Sequence, residues 1–128
     1  MDRIDLFAEV PRVDYDKLTG EAQPEPSAAV RERVAQARLV QEERFASMAL
    51  RTNAAMTPRL VRAYCQEQLA DDAASLLKMA MAQLSLSARA FHRVLKVART
   101  VADLSGSQQV TAQHVAEAVQ YRRRNVAN

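Results

Sequence analysis

The chain has 128 residues, a net charge of +3 and only two glycines, Gly20 and Gly106. Phosphate-binding loops such as GxxxxGKS/T or GxGxxG need glycines within a few residues of one another. A P-loop NTPase, a kinase or a Rossmann oxidoreductase complete within this chain is therefore excluded.

Composition favours helix. The sequence holds 24 alanines against 4 prolines and 2 glycines, and alanine is the strongest helix former. The single cysteine, Cys65, allows no intrachain disulfide. No apolar run is long enough to span a membrane, and the first ten residues lack an apolar signal core. We therefore expect no membrane partner and a cytoplasmic location.

The first predicted element is strand-like. Apolar and other residues alternate over positions 4–10, and Pro11 closes the run. One strand without a partner cannot form a sheet. Positions 12–26 are polar, contain Gly20, Pro24 and Pro26, and have the composition of a flexible linker. We expect residues 1–26 to form an arm and linker that are poorly ordered in isolation.

From Ser27 onward the pattern is helical. The sequence predicts an all-α bundle of about five helices over residues 27–124, followed by a short tail at 125–128. The predicted helices begin at a Ser27 N-cap, at the Thr57-Pro58 cap, at Asp71 or Asp72, at Ala88 and after Thr111. Gly106 lies just past the fourth helix, where a glycine commonly ends a helix.

Candidates for enzymatic chemistry are few. The soft or imidazole ligands are Cys65, His92 and His114, and none has the spacing of a zinc site. The adjacent carboxylates at 42–43 and 71–72 would point about 100° apart on a helix, so neither pair faces one site. The sequence predicts no metal site, and Cys65 is expected to be a small core residue.

The fourth predicted helix carries a basic stripe. Arg89, Arg93 and Lys96 fall within an arc of about 60°, with His92 and Arg99 beside them. Two apolar rows on the same helix predict that it is packed broadly and lies centrally. The stripe is either a solvated cationic face or a phosphate contact. The second interpretation makes Arg89 and Arg93 the candidate nucleotide-binding residues, since Arg89 lies in a first helical turn, where backbone donors favour anions.

Four segments resemble a known family. Residues 86–106, LSARAFHRVLKVARTVADLSG, and 114–122, HVAEAVQYR, resemble the C-terminal domain of magnesium-chelatase-like AAA+ ATPases, in particular the competence protein ComM type. Residues 1–13, MDRIDLFAEVPRV, are similar to the end of the family's ATPase core, and 30–38, VRERVAQAR, to the first helix of its lid. The resemblance covers nearly the whole chain in order. It departs at Phe7, where the family often has His, and in the variable linker.

The resemblance implies a role within a larger motor. The parent would be a ring-forming ATPase whose Lon-like domain, Walker A, Walker B and sensor 1 motifs precede this chain, which would hold the last core strand and the helical lid. Arg89 matches the sensor 2 position, and Arg3 matches the region that supplies an arginine finger to a neighbouring subunit. ATP and Mg²⁺ would bind the parent, and no cofactor is expected for this chain, which would not itself be an enzyme.

The resemblance also implies partners. These are the AAA+ core of the same chain and neighbouring subunits of a ring, expected to be a hexamer. DNA is implied for the parent, since ComM-type proteins act as helicases that drive branch migration in natural transformation. Two alternatives stay open from the residues themselves. The chain could be a basic DNA-binding module that uses the fourth helix or Arg122–Arg124, or a purely structural bundle for protein contacts.

Overall fold

A computed structural model describes Leu6 and residues 26–122, and five α-helices account for most of that range. The helices are α1 (Ser27–Arg44), α2 (Pro58–Tyr64), α3 (Asp71–Leu84), α4 (Ala88–Leu104) and α5 (Ala112–Gln120). Single 3-10 turns lie at Asn53–Ala55 and Gln66–Gln68. The described part of the chain contains no strand, so the predicted all-α fold is confirmed.

The helix starts follow the predicted capping chemistry with one exception. The hydroxyl oxygens of Thr57 and Ser87 accept the N–H of the residue three positions on, at 3.4 and 3.1 Å. Such caps satisfy N–H groups that lack an intrahelical partner. At α1, however, the cap position is Pro26 and not Ser27. Pro26 has extended backbone angles, and its carbonyl oxygen accepts the N–H of Ala29 at 3.0 Å.

The fourth helix lies at the centre of the fold, as predicted. It packs against α1, α2 and α5, and α3 packs against α5. Its two apolar rows recur at helical spacing and therefore enter the core from two sides. The fully buried members include Val94, Leu95, Ala98 and Ala102. Broad burial leaves a narrow face of α4 open to ligands.

Two loops pair to hold the ends of α3 and α5 together. The N–H of Ala70 donates to the carbonyl of Val110, and the N–H of Val110 donates to the carbonyl of Gln68, both at 2.9 Å. These bonds form an isolated parallel bridge between Leu69 and Val110. The loop before Val110 begins at Gly106, whose φ of 73° is left-handed and ends α4 as predicted.

The bundle covers only part of the row of residues that repeats along α1. Val30, Val34, Ala37 and Gln41 recur at helical spacing, but only Ala37 and Gln41 are buried. Val30 and Val34 are 38% and 37% exposed. Residues 26–36 are all exposed, so within the described region only the C-terminal half of α1 packs against the bundle.

Three predictions concern residues that the structure does not describe. The strand-like run at 4–10 lies outside the described residues apart from Leu6, which has no assigned secondary structure. The linker before Pro26 and the tail at 125–128 also lie outside them. The division of the chain at these boundaries stays a prediction.

Candidate functional site

A cleft of about 420 Å³ runs along the open face of α4. Its lining residues on α4 are the predicted basic stripe together with a histidine, and the opposite wall is uncharged. The lining residues are Arg89, His92, Arg93 and Lys96 on the first wall, and Ala54, Met56, Pro58 and Val61 on the second. None of the described residues that line this cleft is acidic. The structure thus brings the predicted site residues Arg89 and Arg93 to one cleft.

The first turn of α4 gives Arg89 its setting. The Ser87 hydroxyl caps the helix by accepting the Ala90 N–H at 3.1 Å. The N–H groups of Ala88 and Arg89 precede the first intrahelical bond, so they have no carbonyl partner within the helix. They add partial positive charge to the exposed guanidinium of Arg89. This end of the cleft suits an anion.

Lys96 closes the other end of the cleft. Its Nζ donates to the carbonyl oxygen of Ala54 at 3.0 Å, which ties α4 to the 3-10 turn Asn53–Ala55. Arg93, half-buried, lies one helical turn from both Arg89 and Lys96. The three cations therefore form a row along the cleft, in the order of the helical spacing.

A buried polar cluster fixes the 3-10 turn that forms the uncharged wall. The side chain of Asn53 donates to Asp103 at 2.9 Å and to Thr100 at 3.0 Å, and its carbonyl oxygen accepts from Arg44 at 2.9 Å. Its backbone N–H donates to the side chain of Gln41 at 2.9 Å. Every polar group of the Asn53 side chain is therefore hydrogen-bonded, and these bonds fix the 3-10 turn. The fixed turn places the carbonyl of Ala54 next to Lys96.

Sequence reasoning missed this cluster. Arg44, Asn53 and Asp103 come from α1, the loop and α4, and no local spacing relates them. One signal was present, because Arg99 and Asp103 are spaced i, i+4, a spacing at which opposite charges on a helix form pairs.

Arg99 flanks the basic stripe in helical position, as expected, but its side chain does not line the cleft. The residue is 2% exposed and belongs to the buried cluster. Its two terminal nitrogens donate to the carbonyl oxygens of Ser107 and Gln108, both at 2.7 Å, and one of them lies 3.2 Å from Asp103. The loop after α4 has carbonyls that need donors, so Arg99 turns inward to satisfy them. Burial lowers the pKa of its guanidinium.

The other titratable candidates, Cys65 and His114, have structural roles. Cys65 is fully buried, and burial raises the pKa of its thiol to about 12. That placement confirms the predicted core role. At the start of α5, His114 Nδ1 accepts the backbone N–H of Thr111 at 3.0 Å in a capping box. Burial, with the charge of Arg99, lowers the pKa of His114. No group of three or more metal-ligating side chains is gathered within the described ranges.

The predicted arginine finger and the predicted basic tail lie mostly outside the described residues. Arg3, the candidate arginine finger, lies outside the described residues, as do Arg123 and Arg124. Arg122 is described and is buried, in the turn after α5. Its side chain therefore does not belong to a solvated basic tail.

The fold and the cleft define a class of protein, namely a small helical domain that offers a row of cations at a helix start. More particularly, the chain belongs to the magnesium chelatase, subunit ChlI C-terminal family, whose family model matches residues 24–122. That match confirms the resemblance to magnesium-chelatase-like proteins.

Individual relatives agree with the family. The chain is 44% identical over 124 residues to competence protein ComM of Haemophilus influenzae. It is 39% identical over 123 residues to uncharacterized protein YifB of Salmonella typhimurium and of Escherichia coli. Each alignment covers 95% of this chain but 23% of the relative's length. Among the helices in the described region, none has the length and apolar character needed to cross a bilayer.

Proposed function

We propose that this chain is the C-terminal helical lid of a AAA+ motor and that Arg89 contacts the phosphates of a nucleotide held by the ATPase core. One observation carries the proposal: the cleft along α4 sets Arg89 at a helix start, in a row with Arg93 and Lys96. A helix start and guanidinium groups both favour phosphate. No acidic residue is among the described residues that line the cleft.

The chemistry assigned to Arg89 is that of a sensor. Its guanidinium would lie against the terminal phosphate and stabilise the charge that develops during transfer, while the core supplies ATP, Mg²⁺ and the attacking water. Arg93, one turn further on, would contact the same polyphosphate. Arg3 would act on the nucleotide of a neighbouring subunit as an arginine finger. The chain itself hydrolyses nothing, because these groups only complete a site built elsewhere.

The proposed partners follow from the same assignment. The lid would pack against the core of its own chain and against neighbouring subunits of a ring, which we expect to be a hexamer in the cytoplasm. Leu6 supports the first contact, since it lines a groove together with Val97, Val101 and Tyr121 of the bundle. The name of the Haemophilus relative, a competence protein, supports a parent motor that acts on DNA.

The test of the sensor assignment uses the full-length protein that contains this chain. Arg89→Ala should lower the rate of ATP hydrolysis by about 10²-fold, the usual loss when one group that stabilises transition-state charge is removed. The matched control is Arg38→Ala, an exposed arginine on α1 outside the cleft, which should hydrolyse ATP at the wild-type rate. Near-wild-type turnover in Arg89→Ala, with the lid still folded, would overturn the assignment.

A second measurement addresses the DNA-binding alternative. The 128-residue chain is titrated with a short DNA duplex at low and at physiological salt. We expect no binding at either, because α4 is packed on most sides and a recognition helix must present its polar face to a groove. Binding that weakens steeply with salt would instead assign DNA contact to this domain.

A further inference from the structure

A second cleft, of about 550 Å³, opens on the far side of the buried cluster. It lies between the C-terminal ends of α1 and α2 and the loop that follows α4. None of its lining residues belongs to the cleft of Arg89. Arg44, Arg99 and Asp103 form its inner wall, and Glu43 and Gln68 also line it.

The charges on this inner wall do not balance. The terminal nitrogens of Arg44 bond both oxygens of Asp103, at 2.7 and 2.9 Å. A nitrogen of Arg99 lies 3.2 Å from the same carboxylate. Two guanidinium groups thus share one carboxylate, whose side chain is completely buried. The remaining partners of Arg99 are neutral carbonyls, so one of the two guanidinium groups has no buried carboxylate of its own, which is costly for a buried charge.

One donor in this wall has no acceptor. The side chain of Arg99 is 3% exposed, and both of its terminal nitrogens are engaged. Its Nε–H is buried and has no hydrogen-bond partner among the described residues. Buried donors in native proteins are nearly always paired. The unmet donor and the excess positive charge come from separate observations, and both call for an acceptor with negative charge.

We propose that the second cleft binds an oxyanion, a phosphate or carboxylate group, which balances the charge shared by Arg44 and Arg99, and that the Arg99 side chain shifts on binding so that its buried Nε–H donates to the oxyanion. Guanidinium groups suit both kinds of oxyanion. Asp103 does not repel such a group strongly, because four donors from Arg44, Asn53 and Arg99 already surround its carboxylate. The site is independent of the proposed nucleotide contact.

Two exposed residues at this cleft allow tests that leave the buried cluster intact. Glu43 places a negative charge beside the site, so Glu43→Gln should tighten oxyanion binding, by about threefold for two charges some 6 Å apart in water. Gln68→Glu adds a negative charge and should weaken binding by a similar factor. Glu42→Gln and Gln66→Glu change the net charge equally but lie outside the cleft, so they serve as matched controls.

The experiment is an NMR titration of the 128-residue chain at constant ionic strength with phosphate, acetate and chloride, following the Arg99 Nε–H signal. A saturable shift with phosphate or acetate is expected. Tighter phosphate binding identifies a phosphate group as the occupant, and tighter acetate binding identifies a carboxylate. A shift equal to that of chloride, or no shift, overturns the proposal. Equal affinities for Glu43→Gln and Glu42→Gln would also overturn it.

Discussion

Replacing Asp103 by asparagine tests how much the buried cluster stabilises the fold. The substitution keeps the size of the side chain but removes its charge. In the wild-type protein this carboxylate receives two bonds from Arg44, one from Asn53 and an ion pair from Arg99, all between 2.7 and 3.2 Å. The asparagine would retain one acceptor oxygen and would turn an NH₂ group toward donors that it cannot satisfy.

The expected cost is large. Removing one partner of a buried ion pair leaves the other charge uncompensated, which typically costs about 3–5 kcal/mol. Here two guanidinium groups lose their shared partner, so we expect at least the lower end of that range. Domains of this size have total stabilities of about 5–15 kcal/mol. Each kilocalorie lowers Tm by about 4–8 °C in a domain of up to 100 residues, so Asp103→Asn should melt at least about 12 °C below the wild type.

Urea denaturation followed by circular dichroism gives the free energy of unfolding directly. The matched control is Asp72→Asn, which makes the same chemical change at an exposed first-turn position of α3. That substitution removes only a favourable interaction with the helix dipole, about 0.3–1 kcal/mol. If Asp103→Asn cost no more than Asp72→Asn, the cluster would not stabilise the fold as we have argued.

Three further predictions concern stability. Leu95→Ala, at a fully buried position of α4, should lower the free energy of unfolding by about 2–5 kcal/mol. The control Leu39→Ala, at a position 51% exposed, should change it by under about 0.5 kcal/mol. Equal effects of the two substitutions in urea melts would contradict the core assignment. The lowered pKa of His114 means that the unfolded state binds more protons below its ordinary pKa of about 6.5. Stability should therefore fall as the pH drops from 6.5 toward 5, by at most about 1.4 kcal/mol per unit, and His114→Gln should flatten that slope in urea melts across this range; an unchanged slope would refute the assignment. Gly106→Ala should lower the free energy of unfolding by about 1 kcal/mol, because the φ of 73° is unfavourable for alanine. The added methyl would meet no atom within 4 Å, so the cost comes from the backbone conformation alone. A variant that melts at the wild-type temperature would contradict this cost.

Most of the fold was predictable because its signals are local. The Thr57-Pro58 cap, the acids at Asp71 and Asp72, and the position of Gly106 each act within one turn of the chain. Helix boundaries at these points need no distant contact. The exception was α1, whose row at Val30 and Val34 has the right spacing but is exposed. Spacing shows that residues share a face, and only tertiary contacts decide whether that face is covered.

The candidate site was predictable in part for the same reason. Arg89 and Arg93 share a face with Lys96 because the period of the helix alone sets that relation. The wall opposite them comes from a distant loop, so the cleft itself could not be derived from spacing. Arg99 has nearly the same helical phase as His92, yet it points into the protein to bond the carbonyls of Ser107 and Gln108.

The sequence by itself determined the all-α architecture, the absence of a phosphate loop within this chain, and the row of cations on α4. Those features depend on composition and on interactions within about four residues. Tertiary structure alone decided which cations line the cleft and which are buried in the core. The spacing of Arg99 and Asp103 is local, but Arg44 reaches the same carboxylate across 59 residues of chain. Only tertiary packing brings the three side chains together and buries them.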